Sequence, residues 1–544
     1  MIRRRQLIQT ASACLAAVAL LALPSGAQAD SRLESMFQDD NMLIFNTPEG
    51  TAKTMDTMQL LGVDRIRVSV FWRTVAPDGA GTVKPAFDAA DPAAYPPGSW
   101  DRYDQIVRLA RQRNIAVNFN ITSPAPNWAT GTAPREDIDE TFDPSAREFG
   151  LFVRALGVRY SGAYMAGGAL IPRVRYWSIW NEPNQPGWLT PQWAKDPRSS
   201  KAMVETAPVI YRRLVDAAWT ALHATQHGDD TILIGETAPK GQKDAKGTTR
   251  AIPALRFIRQ LYCLDDNLQM YKGTSAELRG CPVGAKALQD FPAQHPALFQ
   301  ATGYAHHPYE LLFSPHTRPG FKDYATIANL DDLSKLLRRI YQRYRQLIPD
   351  GQKNVPLYLT EFGYQTNPPD PGAVSLNKQA AWNNEAEYRA WADKSVRTLN
   401  QFLLVDDKPV PGPTPLAAYG SSFQTGLLNL DGTKKPSYGA YAMAIYLPSR
   451  KVGASRRLKL WGTPRVAPDN TRQTVTVQVR QRRGAPFQKV GSLKTDGRRG
   501  YVNASVKVRR SGTVRLAWKD AAGRTWVSRE VAFSLTKKQR AKKN

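Results

Sequence analysis

Between residues 42 and 446 short apolar runs alternate with amphipathic stretches. The runs "MLIF" (42–45), "RIRVSVF" (65–71), "AVNFNIT" (116–122), "VRYWSIW" (174–180), "TILIG" (231–235), "ATGYAHH" (301–307), "PLYLTE" (356–361) and "GSSFQTG" (420–426) read as eight strands. Helical periodicity fills the gaps. It is clearest at 330–347, where Leu333, Leu336, Leu337, Ile340, Tyr341, Tyr344 and Leu347 follow an i, i+3, i+4, i+7 spacing behind Asn329 as N-cap. Eight strand–helix units predict an α/β fold, a parallel (β/α)8 TIM barrel, whose reactive groups collect at the C-terminal ends of the strands. The longer loops, 183–206 and 237–250, follow strands four and five and belong to that end.

Past residue 450 the period changes from 3.6 to 2. "TVTVQV" (474–479), "YVNASVKV" (501–508), "TVRLAWKD" (513–520) and "TWVSREVAF" (525–533) are short alternating strands separated by turn sequences, which predicts a small all-β sandwich. The expected division is a signal peptide at 1–29, a catalytic barrel at 30–450, a basic β-sandwich at 451–535 and a disordered basic tail at 536–544.

Charge separates the two large parts. Residues 451–544 hold 25 Lys and Arg against four acids, a net +21, while 30–450 carries only +3 of the total +27. A basic β-sandwich suits an anionic polymer or the cell envelope. It has no nucleic-acid motif and no aromatic stacking pattern of the RNA-binding kind, so nucleic acid is not expected. No catalytic position is expected beyond Gln424, so removal of 451–544 should spare catalysis.

At the N-terminus Arg3–Arg5, the run "ACLAAVALLAL" and "AQA" ending at Ala29 have the form of a secretory signal, and no later stretch is long and apolar enough to span a membrane. The expected location is extracellular. Cys263 and Cys281, 18 residues apart, are then expected to form a disulfide, and two thiols without a neighbouring His do not make a metal site. No cofactor is implied.

Two carboxylates end strands: Glu182 in "WSIWNEPNQPGW" and Glu361 in "LYLTEFGY". A carboxylate at the end of a buried apolar run is costly unless paired or used. Strands four and seven face each other across the mouth of an eight-stranded barrel, and two carboxyl groups about 5–5.5 Å apart are what retaining glycoside hydrolysis requires, against roughly 6.5–9.5 Å for inversion.

"WNEPN" and "LTEFGY" at these strand ends resemble the signatures of the clan of retaining barrel glycoside hydrolases, clan A, that includes family 5, with family 39 as a close alternative. The resemblance covers about 40–446. It implies Glu182 as acid/base, Glu361 as nucleophile, Asn181 on a sugar 2-hydroxyl, Arg67 beside the nucleophile, and His307 and Tyr309 of "HHPY" lining the sugar site and holding the nucleophile. Two positions depart from family 5. Asn120 stands where that family has a third-strand His, and Phe423 or Gln424 where it has an eighth-strand Trp. Trp128 and Trp188, just beyond strands three and four, are candidate sugar platforms or loop packing. The expected function is hydrolysis of β-glycosidic bonds in an oligo- or polysaccharide. The alternative is a carbohydrate- or envelope-polymer-binding protein on an inactive or weakly active barrel.

Overall fold

The computed structural model describes residues 33–199, 202–244 and 247–536; the expected signal at 1–29 and the basic end from 537 on lie outside them. Eight parallel strands close into a barrel: β1 (Glu34–Gln38), β2 (Arg65–Phe71), β3 (Ala116–Thr122), β4 (Tyr176–Ile179), β5 (Thr231–Thr237), β6 (Gly303–His306), β7 (Leu357–Leu359) and β8 (Val396–Phe402). Each pairs with its chain neighbour, and β8 returns to β1. Among the described residues no helix is long and apolar enough to cross a membrane.

Six of the eight expected strands are in place, and the first and last are corrected. "MLIF" does not form β1. Asp39 accepts a hydrogen bond from Met42 N and caps a single helical turn, Asp40–Leu43, leaving Glu34–Gln38 as the strand. "GSSFQTG" is not β8. It follows a short helix, Pro415–Gly420, whereas β8 is "VRTLNQF". Thr398 and Asn400 of that strand are fully buried polar residues, which dilute its apolar signal; Asn400 Nδ2 donates to Thr360 O.

The two-residue period of a strand decides what fills the barrel. In β2, Ile66, Val68 and Val70 join the hydrophobic core, which sends Arg65, Arg67 and Ser69 to the other face. In β3, Val117, Phe119 and Ile121 do the same, leaving Asn118, Asn120 and Thr122 opposite them. The interior is therefore polar and wholly buried around Arg67 and Asn120. That interior holds the site together.

Two β-sheets follow the barrel. One has the order Met443–Tyr446, Arg457–Pro464, Val502–Lys507, so a strand inside the span assigned above to the barrel pairs with the basic module. The other holds Thr474–Arg480, Gln488–Lys494 and Gly512–Lys519 with shorter edge strands, and the two share an apolar core. Barrel and module belong to one compact unit. Trp461 and Tyr501 of the module are buried in the barrel's own core; Trp461 packs on Tyr388 and Trp391, with ring centroids 5.8 and 6.1 Å away. Arg465 and Tyr501 both donate to Glu387, the latter at 3.2 Å. The sandwich is thus part of the barrel's support, not a detachable appendage.

Cys263 and Cys281 form the expected disulfide, with Cα atoms 5.8 Å apart. Cys263 follows the helix Ala254–Leu261, and the adjacent Tyr262 hydroxyl donates to Leu298 O, just ahead of the start of β6. The bridge therefore sits at the N-terminal end of the strands, away from the carboxylates. Closing an 18-residue loop contributes roughly 3 kcal/mol in the chain-entropy account.

Candidate active site

Arg67 from within β2 meets Asn181, Glu182, His307, Tyr309 and Glu361 from the C-terminal ends of β4, β6 and β7. Past β4 the chain turns sharply, with Trp180 and Glu182 both at positive φ (67° and 36°), a strained state for residues other than Gly or Asn. The turn is held by Trp180 N donating to Ile121 O and Asn181 N donating to Thr122 Oγ1.

His307 joins the two carboxylates. Its Nδ1 lies 2.9 Å from Glu182 Oε1 and 3.5 Å from Glu361 Oε2. A carboxylate oxygen of Glu182, one of Glu361 and a His307 ring nitrogen all fall within 4.8 Å of one another. Glu361 also accepts from Arg67 Nη1 at 2.9 Å on Oε1 and from the Tyr309 hydroxyl at 3.1 Å on Oε2. Arg67 Nη2 donates to Asn181 Oδ1 at 2.6 Å. Arg67 and His307 are fully enclosed, whereas the side chains of Glu182 and Glu361 keep 18% and 11% of their surface open. The two acids are what a bound molecule can reach; the cations stand behind them.

A third acid completes the cluster and was not anticipated from the sequence. Glu236 on β5 is completely buried and ion-pairs with Arg67. Its Oε2 accepts from Asn120 Nδ2 at 3.0 Å and lies 3.6 Å from His307 Nε2. The available signal was Gly235, a lone glycine inside an otherwise apolar strand, which marks a bulge or close approach.

The charges set one another. Burial alone would raise the Glu236 carboxyl, but Arg67 and then His307 hold it down to about 2. Burial pushes His307 toward neutrality, yet Glu361, with Glu182 and Glu236, lifts the imidazolium to about 9. Burial raises Glu361 above the ordinary carboxylate range, opposed by His307 and Arg67. The Tyr309 hydroxyl is pushed far up by burial and by Glu361, so it stays a donor. His306, lowered to about 3 by burial, is a neutral neighbour whose ring nitrogens meet Thr237 Oγ1 and Ala325 O.

The remaining expected residues divide. Asn120 is fully buried, and its Nδ2 donates to Glu236 and to Trp180 O, so it supports the cluster. The Trp128 indole donates to Pro77 O and packs edge-on against Trp72 and Phe87, a loop-packing role. Trp188 is half-buried, and its carbonyl accepts from the Trp180 indole, which fixes the loop behind Glu182. Gln424 is buried and its carbonyl accepts from Lys435 Nζ, so it binds the loop and not a ligand. Phe423 is 45% exposed and meets Phe402 edge-on at 5.3 Å. Phe402 ends the true β8 and lies 6.4 Å from the Tyr309 ring, which makes it the aromatic at the eighth strand.

No protein-family model and no curated protein matches the chain. Solved structures to which the chain is similar include a β-glucosidase from Thermotoga maritima in complex with castanospermine, at 13% identity and TM-score 0.43 over 75% of this chain and 96% of that one. GH5_18 from Streptomyces cattleya in complex with GlcNAc is similar at 14% identity and TM-score 0.41, over 75% and 78%. The exo-β-1,4-mannosidase Op5Man5 from Opitutaceae bacterium strain TAV5 is similar at 14% and 0.39, over 75% and 58%. Likeness at this level does not reach the site.

Proposed function

We propose that this protein is a retaining β-glycosidase, with Glu182 as acid/base and Glu361 as nucleophile, acting on an oligo- or polysaccharide outside the cell. The observation that carries the reading is the spacing: oxygens of two partly open carboxylates within 4.8 Å, across the mouth of a parallel barrel. Such closeness fits direct attack by one carboxylate, as in double displacement.

Exposure separates the roles of the acids. Arg67 and His307 bring two positive charges, and Glu182, Glu236 and Glu361 can bring three negative ones. Glu182, the most open of the three, is the one placed to pass a proton to a departing group. In the first step Glu361 attacks the anomeric carbon while Glu182 protonates the departing oxygen. In the second, Glu182 takes a proton from water, whose oxygen displaces Glu361 from the same carbon. Arg67 and Tyr309 hold Glu361 for attack. With its amide oxygen held by Arg67, Asn181 has its NH2 left to donate to a sugar hydroxyl. Phe402 and Phe423 are the rings proposed to meet sugar faces.

Export is proposed from the signal-like residues 1–29, and the Cys263–Cys281 disulfide fits an oxidising compartment. The basic module is proposed to retain the enzyme on an anionic polymer. The test of function is a panel of aryl β-glycosides and polysaccharides with wild type, Glu182→Ala and Glu361→Ala. Binding of sugars without turnover in the wild type would leave the binding-protein reading.

A further inference from the structure

We infer that Glu236 is a positioning residue, delivered into the site by a bulge in β5, that holds Arg67 and His307 in place for the reacting pair. The inference rests on the reading of Glu182 and Glu361 given above.

Alternation along β5 would send Glu236 outward. Ile232 and Ile234 belong to the hydrophobic core, and the residue two further on should share their face. It does not, because the register breaks. Gly235 pairs with Ala305 on β6, but the next partner of that strand, His306, pairs with Thr237, so Glu236 is an extra residue. Gly235 (φ 109°) and Glu236 (φ 45°) both adopt left-handed backbone there. A bulge turns a side chain to the other face of a sheet, and bulges are frequent beside active sites for that reason.

The surroundings are built to keep the bulge. A Cβ on Gly235 would stand 2.6 Å from Ala305 O and from the Tyr304 ring, so only glycine fits. The Gly235 N–H, displaced from the ladder, donates to the Tyr211 hydroxyl at 2.6 Å, which donates to Ile179 O at the end of β4 at 2.9 Å. The Glu236 carbonyl accepts from Glu182 N at 3.0 Å. One bulged residue therefore fixes the backbone of Glu182 through its main chain and the two buried cations through its carboxylate.

Every strand end facing His307 contributes to its state. Glu182 and Glu361 lie at Nδ1, Glu236 lies nearest Nε2, Arg67 is a cation behind them, and Tyr309 and neutral His306 flank it on its own segment. Nε2 has no partner within hydrogen-bond distance among the described residues, and the Glu236 carboxylate lies beside it at 3.6 Å. Without the Glu236 charge, the two buried cations would lose the carboxylate that lies between Arg67 and His307 Nε2. Arg67 and His307 would then be free to shift from the positions in which they hold Glu361 and Glu182.

The test pairs a histidine-nitrogen NMR titration of the full chain with kinetics. In the wild type His307 should be an imidazolium at neutral pH and release its proton near pH 9. Glu236→Gln keeps shape and an acceptor but removes the charge. His307 should then titrate closer to the ordinary value of about 6.5. kcat should fall on the order of 10²-fold with KM little changed, as for a misplaced reacting group. Tyr211→Phe, which loosens the bulge without changing charge, should lower kcat in the same direction by less. A neutral His307 in the wild type at pH 7, or an unchanged titration and kcat in both variants, would overturn the inference. The titration needs no turnover, so a shifted His307 in a chain that cleaves no glycoside would refute the hydrolase reading and leave the positioning role standing.

Discussion

Arg67 Nη1 donates to Glu361 Oε1 at 2.9 Å across the barrel, and the same guanidinium ion-pairs with the buried Glu236. One cation thus pairs with two carboxylates, on β5 and beyond β7. Removing it would strand both. Arg67→Met should destabilise the protein by about 3–5 kcal/mol, the cost of leaving a buried partner unpaired, measured by denaturant unfolding. A loss under 1 kcal/mol would mean that water or a proton compensates the acids.

His307 gives a stability signature with a definite sign. Its folded value, about 9, lies above the unfolded value near 6.5, so its contribution is complete below pH 6.5 and fades as pH rises through 9. Glu236 runs the other way. Held at about 2, it contributes above pH 4.5 and loses that contribution as pH falls toward 2. The stability gap between wild type and His307→Asn should therefore narrow from pH 6.5 to pH 9 in thermal unfolding. A gap constant over that window contradicts a charged His307.

The acid limb of activity follows from Glu361. Its carboxyl is raised, and it attacks only when ionised, so kcat/KM should decline on acidification at a pH above the ordinary glutamate value of about 4.3. Tyr309→Phe removes a donor to the ionised form and should move that limb further up. Movement in the opposite direction would take Tyr309 away from Glu361.

The basic module should fail as a removable part. Trp461→Ala should cost about 3–5 kcal/mol, as for a buried aromatic truncated in a core, and a chain ending at 450 should not fold. Anion retention is then tested in the full chain. Replacing the exposed Arg482, Arg483, Arg509 and Arg510 by Glu should weaken binding to an anionic polysaccharide at low salt and spare cleavage of a small aryl glycoside. Equal retention of both proteins would make the charge a matter of solubility.

Most of the site was legible in the sequence because strand ends carry it: Asn181–Glu182 closes β4, His307 and Tyr309 follow β6, and Glu361 follows β7. Where the alternation was clean, as in β2 and β3, the strands were legible too. β8 was not, because Thr398 and Asn400 turn polar groups into the barrel, and β1 was passed over for a more apolar run that a cap at Asp39 winds into a helix. Glu236 was hidden for a different reason. Periodicity places it outside the barrel, and only a bulge at Gly235, set by contacts with β6 and Tyr211, brings it in.

The stereochemistry of the first-formed product tests the central claim most directly. On an aryl β-glycoside that the wild type cleaves, proton NMR in the first minutes should show the β-anomer before mutarotation, because two displacements at one carbon restore its configuration. First appearance of the α-anomer would show single displacement by water and contradict Glu361 as nucleophile at this spacing.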